Sequence, residues 1–297
     1  MHTRAAVGGI AVMASVVALC ALSWYAQQTE PPSERFLGGR PSTPGGLGTS
    51  CANASNRSAF ATLFTAKNPC YELALAVFLK TFLTTNSVHR MIVLHGPGVA
   101  LSPELRLLAG DSVTLVEVPL LKDTFVQPRL RTMATKFQLW ELTCFSKIAY
   151  YDADHIFFEN ADNVFSACST DFCAVPDPSP SGHRAGQFNA GAIVIVPSSA
   201  YAQYLWREYR RRSDFLSSKD VKRSGDQVFL NFVRRGAWQP LASTFNAQHG
   251  ARGAVVHDKL WKNKSGLDFG TIFGGSSFLK RLLVQCEAEE RAGKRAR

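Results

Sequence analysis

F-Q-L-W-E-L-T-C-F-S-K-I-A-Y-Y-D-A-D-H-I-F-F-E-N-A-D-N, residues Phe137 to Asn163, carries an apolar strand that ends in two acids. Ile148-Ala149-Tyr150-Tyr151 reads as a buried strand, with Asp152 and Asp154 planted at its tip. In an extended strand, residues two apart point to the same face, so both carboxylates are expected to leave on one side. Two anionic groups issuing from a hydrophobic strand are costly unless a cation neutralises them. Hard oxygen donors suit Mg²⁺ or Mn²⁺, ions that commonly rest on one or two carboxylates while gripping substrate phosphates. Asp-x-Asp alone is a common tripeptide, and the bland alternative is a strand end with two solvated acids. The setting argues otherwise, because Ile156-Phe157-Phe158 resumes the apolar run before the polar break at Glu159-Asn160. The segment is read as the seat of a metal and a diphosphate.

Around this stretch, strand-like and helix-like segments alternate from residue 59 onward, the pattern of an α/β layer fold. Phe60 to Phe64, Met91 to Leu94 and Val113 to Val118 are read as strands. Cys70 to Phe82 places Leu73, Val77 and Phe78 at helical spacing. Ser102-Pro103-Glu104 opens a helix, with Ser as cap and Pro at the first position. A helix over Thr132 to Phe145 is expected to deliver the chain to the Asp-x-Asp strand. Beyond it, Phe172 to Val175 is a strand, and the nearly unbroken apolar run Ala190 to Val196 is typical of a central one. Ser198 caps a helix through Arg212, and Asp226 to Arg234 forms another. No internal repeat stands out, and 59–290 reads as one domain.

The 297 residues are 46% hydrophobic and 19% charged, a folded rather than disordered composition. The net charge of +10 is scattered, with no basic stripe and no zinc-finger, RRM or KH pattern, so nucleic acid is not an expected partner. Residues 5–28 hold no charge and are mostly apolar as far as Trp24; about 20 such residues suffice to span a bilayer. Arg4 precedes them and Glu30 and Glu34 follow, which keeps the N-terminus cytoplasmic. Residues 1–26 are therefore read as a cytoplasmic tip and signal-anchor helix, the competing reading being a signal peptide cleaved near Ala18-Leu19-Cys20. Residues 27–58, rich in Pro, Gly and Ser, read as a stem, and 291–297 as a basic tail. This predicts a single-pass type II protein of the Golgi or endoplasmic reticulum membrane with a lumenal domain, or a secreted one if the leader is cleaved. Asn53, Asn56 and Asn263 open glycosylation acceptor triplets. Of seven cysteines, Cys20 falls in the membrane segment and Cys168–Cys173 is the expected disulfide; Cys51, Cys70, Cys144 and Cys286 are not paired by spacing alone. No Cys-x-x-Cys or Cys/His zinc spacing occurs.

Six further segments fall in a recognisable order. They are Ala59-Phe-Ala-Thr-Leu-Phe-Thr65, Thr135-Lys136-Phe-Gln-Leu-Trp140, Ala174-Val-Pro-Asp-Pro178, Phe188-Asn-Ala-Gly191, Ser224-Gly-Asp-Gln227 and Val255-Val-His257. With the Asp-x-Asp motif they resemble the glycogenin-like, family 8 retaining glycosyltransferases over most of residues 59–262. The resemblance implies a Rossmann-like α/β domain of GT-A type, with a mixed, mainly parallel central sheet, and a UDP-sugar as donor. It implies Mn²⁺, with Mg²⁺ as the alternative, held by Asp152, Asp154 and His257. Without the motif order, His257 on an Ala-Val-Val strand would read as a satisfied core histidine. Leu63, Thr65 and Tyr71 match the uracil and ribose contacts, and Ala153, Ala190, Gly191 and Gly225 line the donor. Asp177, Asn189 and Asp226 match the sugar-hydroxyl contacts, a role for which carboxylate and amide groups are suited. Lys136 adds a cation near phosphates or sugar, although a helix lysine is more often solvated; Asp177, flanked by prolines, is otherwise a turn acid.

Gln227 matches the position facing the anomeric carbon. An amide is a poor nucleophile beside a carboxylate, which favours same-face attack over a long-lived covalent intermediate. The chain departs from the family in two places. Ala66 stands where Asn is common, and Asp258-Lys-Leu-Trp-Lys262 is shorter than the usual diphosphate-gripping segment and lacks its Gly. Lys259 or Lys262 would serve there, Lys262 by spacing. The expected activity is transfer from a UDP-sugar to a glycan, glycoprotein or lipid. The alternatives are a metal-dependent nucleotide-sugar hydrolase and an inactive carbohydrate-binding protein on the same scaffold.

Overall fold

A computed structural model describes residues 57–120, 132–178, 186–212, 225–248, 250–258 and 268–295. The expected membrane anchor, nearly all of the stem, and Lys262 lie outside them. By internal contacts the chain divides into Met1–Thr43 and Pro44–Arg297, and every element below belongs to the second unit. Among the described residues no helix is long and apolar enough to cross a membrane.

The strands expected from the apolar runs form as β1 (Arg57–Phe64), β2 (Arg90–His95), β3 (Val113–Glu117) and β4 (Phe145–Tyr151). They are joined in one sheet by β6 (Phe172–Pro176), β7 (Phe188–Ile195) and β8 (Gln239–Pro240), in the order β3-β2-β1-β4-β7-β6-β8. The β1–β2, β2–β3, β1–β4 and β6–β8 pairs are parallel, and β7 runs antiparallel to both β4 and β6. The sheet is thus mixed and mainly parallel. Every residue of β7 is buried, which explains a sequence with no polar alternation: both faces of this strand are covered.

Period-two alternation sorts β1 between two cores. Phe60 and Phe64 pack with α1 (Pro69–Thr84), while Ala59, Ala61 and Leu63 face Phe137, Trp140 and Phe188. Asn68 caps α1, its side chain accepting from the Tyr71 amide, and Pro69 fills the first helical position where no donor is needed. α2 (Pro103–Ala109) starts as the sequence suggests, with Ser102 accepting from the Leu105 amide. After α3 (Val164–Ala167) come α4 (Ser199–Arg211), capped by Ser198, and α5 (Gly225–Val233). Late in the chain, α6 (Phe269–Phe273) and α7 (Ser277–Arg295) follow, the latter running through residues read as the start of a basic tail.

Two local expectations need correction. The helix expected over Thr132 to Phe145 is a 3₁₀ helix, Met133–Glu141, and Phe145 already belongs to β4. The reason is packing: at three residues per turn, side chains three apart eclipse. Ala134, Phe137 and Trp140 therefore stack on one side, all fully buried in the same core. The second concerns the acids. Asp152, Ala153 and Asp154 do not continue β4 but form a turn, closed by the His155 amide donating to the Asp152 carbonyl at 3.1 Å. The turn leads into β5 (His155–Phe157), which pairs antiparallel with β9 (Val255–His257) in a separate two-stranded sheet.

Candidate active site

The turn, not strand alternation, gives the two acids their neighbours. In the β5–β9 pair, His155 stands directly opposite His257. The Asp258 amide donates to the Asp154 carbonyl at 3.0 Å, so the end of β9 is laid against the turn. His257 Nε2 consequently lies 3.2 Å from Asp154 Oδ1. Asp152 is drawn in from the other side, its amide donating to the Gly191 carbonyl at 2.8 Å. A methyl group placed on Gly191 would stand 3.0 Å from both Asp152 Oδ2 and His257 Cε1, and 2.8 Å from Asn189 Oδ1. Gly191 is therefore the floor on which one carboxylate and the imidazole meet. Two carboxylates and an imidazole nitrogen brought together are a hard-to-borderline oxygen and nitrogen donor set of the kind that can hold a divalent cation.

The group Asp154, His155 and His257 also brings its ligating atoms within 4.8 Å of one another. His155, however, is fully buried. Nδ1 donates to the Asp152 carbonyl at 2.8 Å, and Nε2 lies 3.1 Å from the Asn246 side-chain oxygen. Burial, reinforced by His257, pushes its pKa down to about 4, which keeps it uncharged at neutral pH. Its ring stacks on His257 at 4.1 Å and 22°.

Behind the turn lies a buried charge cluster. Lys136 is fully buried, and its ammonium donates to the Ala190 carbonyl at 2.9 Å and to Asp226 Oδ2 at 2.5 Å, with Asp152 Oδ1 at 3.3 Å. Burial pulls the pKa of Lys136 down, but the Asp152 and Asp226 carboxylates outweigh it and hold the ammonium above its usual range. Burial pushes the Asp226 carboxyl up, against the pull of Lys136. Tyr150, under the Lys136 ammonium at 4.6 Å, donates to Asp152 Oδ1 at 2.7 Å. Burial and then Asp152 raise its phenol well above the ordinary value, so it remains a donor. Asp152 Oδ1 is thus held by Tyr150 and Lys136, which leaves Oδ2 on the Gly191 side.

The residues expected around the donor sugar adjoin this cluster. Gly225, at φ +45, opens α5 in a conformation that favours glycine, and Asp226 occupies its first turn. Gln227 Nε2 donates to Asp177 Oδ2 at 2.7 Å, while its oxygen accepts from the Ala190 amide at 3.3 Å. Asn189 accepts from the Gly191 amide at 2.9 Å and from Asn246 at 3.1 Å. Asn231 fastens α5 to β7 through both backbone groups of Phe188. Ala153 is buried within the turn. Asp152, Asp154, His257, Lys136, Asp226, Gln227, Asp177, Asn189, Ala190 and Gly191 therefore form one continuous constellation.

Leu63 and Thr65 sit at the C-terminal end of β1, which runs parallel to β4 and ends at the same edge of the sheet as the acids. Thr65 accepts from the Thr132 hydroxyl at 2.8 Å, and Tyr71, in the first turn of α1, is partly exposed. The parallel ends of β1 and β4 place Leu63 and Thr65 on the same rim as the cluster. Sequence reasoning missed Tyr150, His155 and Asn246. For Tyr150 a signal existed, since a residue two before Asp152 shares its strand face. His155 and Asn246 needed the pairing of distant segments.

No protein-family model matches the chain. It is 28% identical over 183 residues to UDP-glucuronate:xylan alpha-glucuronosyltransferase 2 of Arabidopsis thaliana, a match covering 60% of this chain and 27% of the relative. To Glycogenin-1 of Mus musculus it is 30% identical over 179 residues, covering 58% of this chain and 49% of the relative. Among solved structures, the galactosyltransferase LgtC in complex with donor and acceptor sugar analogues superposes with a TM-score of 0.55 at 18% identity, over 76% of this chain and 95% of the other. The chain spans less than half the length of either curated relative. Its homologues are thus glycogenins and xylan glucuronosyltransferases, in line with the resemblance drawn from the motifs, and the structural likeness shows an α/β fold of GT-A type.

Proposed function

We propose that the chain is a retaining glycosyltransferase that moves a sugar from a UDP-sugar to a glycan, glycoprotein or lipid acceptor, with Mn²⁺ held by Asp152, Asp154 and His257. The observation that carries this reading is the junction of the Asp152–Asp154 turn with His257, 3.2 Å from Asp154, beside the Lys136–Asp226 pair. When bound, the cation supplies Lewis-acid neutralisation of the diphosphate leaving group. Lys136 holds Asp226 and Asp152 in place in a largely buried site, where oriented charges act most strongly. Asp177 and the Ala190 amide lock both ends of the Gln227 carboxamide, so its dipole is set before substrate arrives. Asn189 and Asp226 would hold sugar hydroxyls. With no carboxylate at position 227, same-face attack of the acceptor is favoured over a covalent adduct.

Disulfides at Cys168–Cys173 and Cys70–Cys286 support an oxidising compartment, and with the apolar stretch before Trp24 they support a lumenal domain in the Golgi or endoplasmic reticulum. The test is a panel of UDP-sugars with the full chain and Mn²⁺, scoring UDP release and then transfer. One donor is expected to turn over only with the cation, and Asp154→Asn is expected to lose nearly all activity while melting normally. Full activity in Asp154→Asn overturns the site. Free sugar that no acceptor diverts identifies a hydrolase instead, and absence of UDP binding identifies an inactive binding protein.

A further inference from the structure

A closed ring of polar contacts begins and ends at Asp152. Its amide donates to the Gly191 carbonyl at 2.8 Å, and the Gly191 amide donates to Asn189 Oδ1 at 2.9 Å. Asn246 Nδ2 donates to that same oxygen at 3.1 Å, and Asn246 Oδ1 lies 3.1 Å from His155 Nε2. His155 Nδ1 then donates back to the Asp152 carbonyl at 2.8 Å. Asn246 is 2% exposed and His155 0%, so water does not compete for these contacts. The ring draws together the acidic turn, β7 and the chain just after the short helical turn Ser243–Phe245.

Its one aromatic member is stacked at 4.1 Å on His257. With Nδ1 donating to the Asp152 carbonyl and Nε2 lying 3.1 Å from Asn246 Oδ1, His155 would have to give up its contact with Asn246 to turn a nitrogen toward a cation. What it offers is a flat, fixed surface. His257 is the cross-strand partner of His155, and a stacked ring at that separation limits rotation of the imidazole about its side-chain bonds. The same ring of contacts fixes the Asp152 main chain and the Gly191 floor. Asp152 and His257 are therefore presented to one point by groups that do not themselves touch it.

We propose that His155 and Asn246 are positioning residues for the cation site: Asn246 clamps His155, and His155 orients His257 while anchoring the Asp152 turn. This rests on the proposed metal-dependent function and deepens it. Partners of this kind typically alter metal affinity about 10- to 100-fold when removed. They fix ligand orientation before the ion arrives, so their loss falls on capture of the ion rather than on the chemistry that follows.

The test compares the full chain with Asn246→Ala and His155→Phe, the second keeping an aromatic plate while losing the hydrogen bond to the Asp152 carbonyl and the contact with Asn246. Mn²⁺ binding is read directly from the free-ion signal in electron paramagnetic resonance, and folding from the melting temperature in EDTA. Each variant is expected to raise the Mn²⁺ dissociation constant about tenfold or more. The Mn²⁺ concentration for half-maximal activity should rise in parallel, with a much smaller change in the rate at saturating Mn²⁺. A cooperative melt in EDTA, together with weakened binding, separates positioning from unfolding. Wild-type affinity in both variants overturns the proposal and leaves the metal-dependent reading intact. A wild-type chain that binds no Mn²⁺, or binds it equally well as Asp154→Asn, overturns both. Loss of Mn²⁺ binding in His155→Phe beside wild-type affinity in Asn246→Ala also overturns the clamp, since it makes His155 act without Asn246.

Discussion

At the scale of the residue, Gly191 carries a steric constraint that bears directly on the site. Its backbone is not in a left-handed conformation; the demand is for space, because three functional side chains converge on its α-carbon. A methyl group there would meet Asn189 Oδ1 at 2.8 Å and Asp152 Oδ2 and His257 Cε1 at 3.0 Å. None of these is the loose end of a long chain. Asn189 is held by two hydrogen bonds, Asp152 by Tyr150 and Lys136, and His257 by the stack on His155. Relief must come from moving the ligands apart, and displacement of about 1 Å at a reacting centre costs on the order of 100-fold in rate. Gly191→Ala is therefore expected to lower kcat/KM about 100-fold and to weaken Mn²⁺ binding, with the melting temperature in EDTA changed by only a few degrees. A steady-state assay and calorimetry together check it; near-normal Mn²⁺ affinity would show that the two ligands do not meet on this glycine.

At the scale of the element, the 3₁₀ helix Met133–Glu141 shows how burial places charge. The winding that stacks Ala134, Phe137 and Trp140 into the core also turns Lys136 inward, onto Asp226 of α5 and Asp152 of the turn. Replacing Lys136 by Met keeps the bulk but leaves two acids without their cation, and breaking a buried pair by removing one partner costs about 3–5 kcal/mol. Lys136→Met should lower stability by that order in urea denaturation at pH 7. The sign of its pH dependence follows from Asp226. Without Lys136 its folded pKa rises further above 3.8, so the penalty is largest at neutral pH and shrinks as the pH falls and Asp226 takes a proton. A deficit that stays constant down to pH 5 would show that lost packing, not stranded charge, is responsible. This element also marks what the sequence did and did not disclose. The strands announced themselves through unbroken apolar runs, and Ser102, Pro103 and Ser198 marked helix starts by local capping chemistry. Apolar periodicity over nine residues does not separate a period of three from one of 3.6, so the tighter winding was decided by the sheet it packs on. The acids were legible, but their geometry was not: the turn exists because β5 leaves β4 to pair with β9, a hundred residues later. Asn246 gave no signal at all, since its partners are met only in three dimensions.

At the scale of the whole molecule, the cluster lies where the parallel strands β1 and β4 end, the place where α/β sheets gather residues from many loops. That edge is assembled from both ends of the fold, because α7 returns to α1 and is bonded to it through Cys70–Cys286. The two cysteines are 216 residues apart, so the bond closes a loop that contains the entire cluster. Chain-entropy reasoning gives a cross-link of this span about 5 kcal/mol at most, with native contacts able to reduce the gain. Cys168–Cys173, only five residues apart, constrains the unfolded chain far less. The double change Cys70→Ser, Cys286→Ser is therefore expected to lower the unfolding free energy measured in urea by several kcal/mol. Cys168→Ser with Cys173→Ser should produce a smaller drop. Because Cys70 stands immediately before Tyr71 at the start of α1, the first pair should also weaken UDP binding, measured by titration, more than it weakens Mn²⁺ binding. Equal urea midpoints for wild type and the Cys70–Cys286 variant would mean that α7 is held by the burial of Leu279 and Leu282 alone, and that the covalent tie adds nothing to the frame around the site.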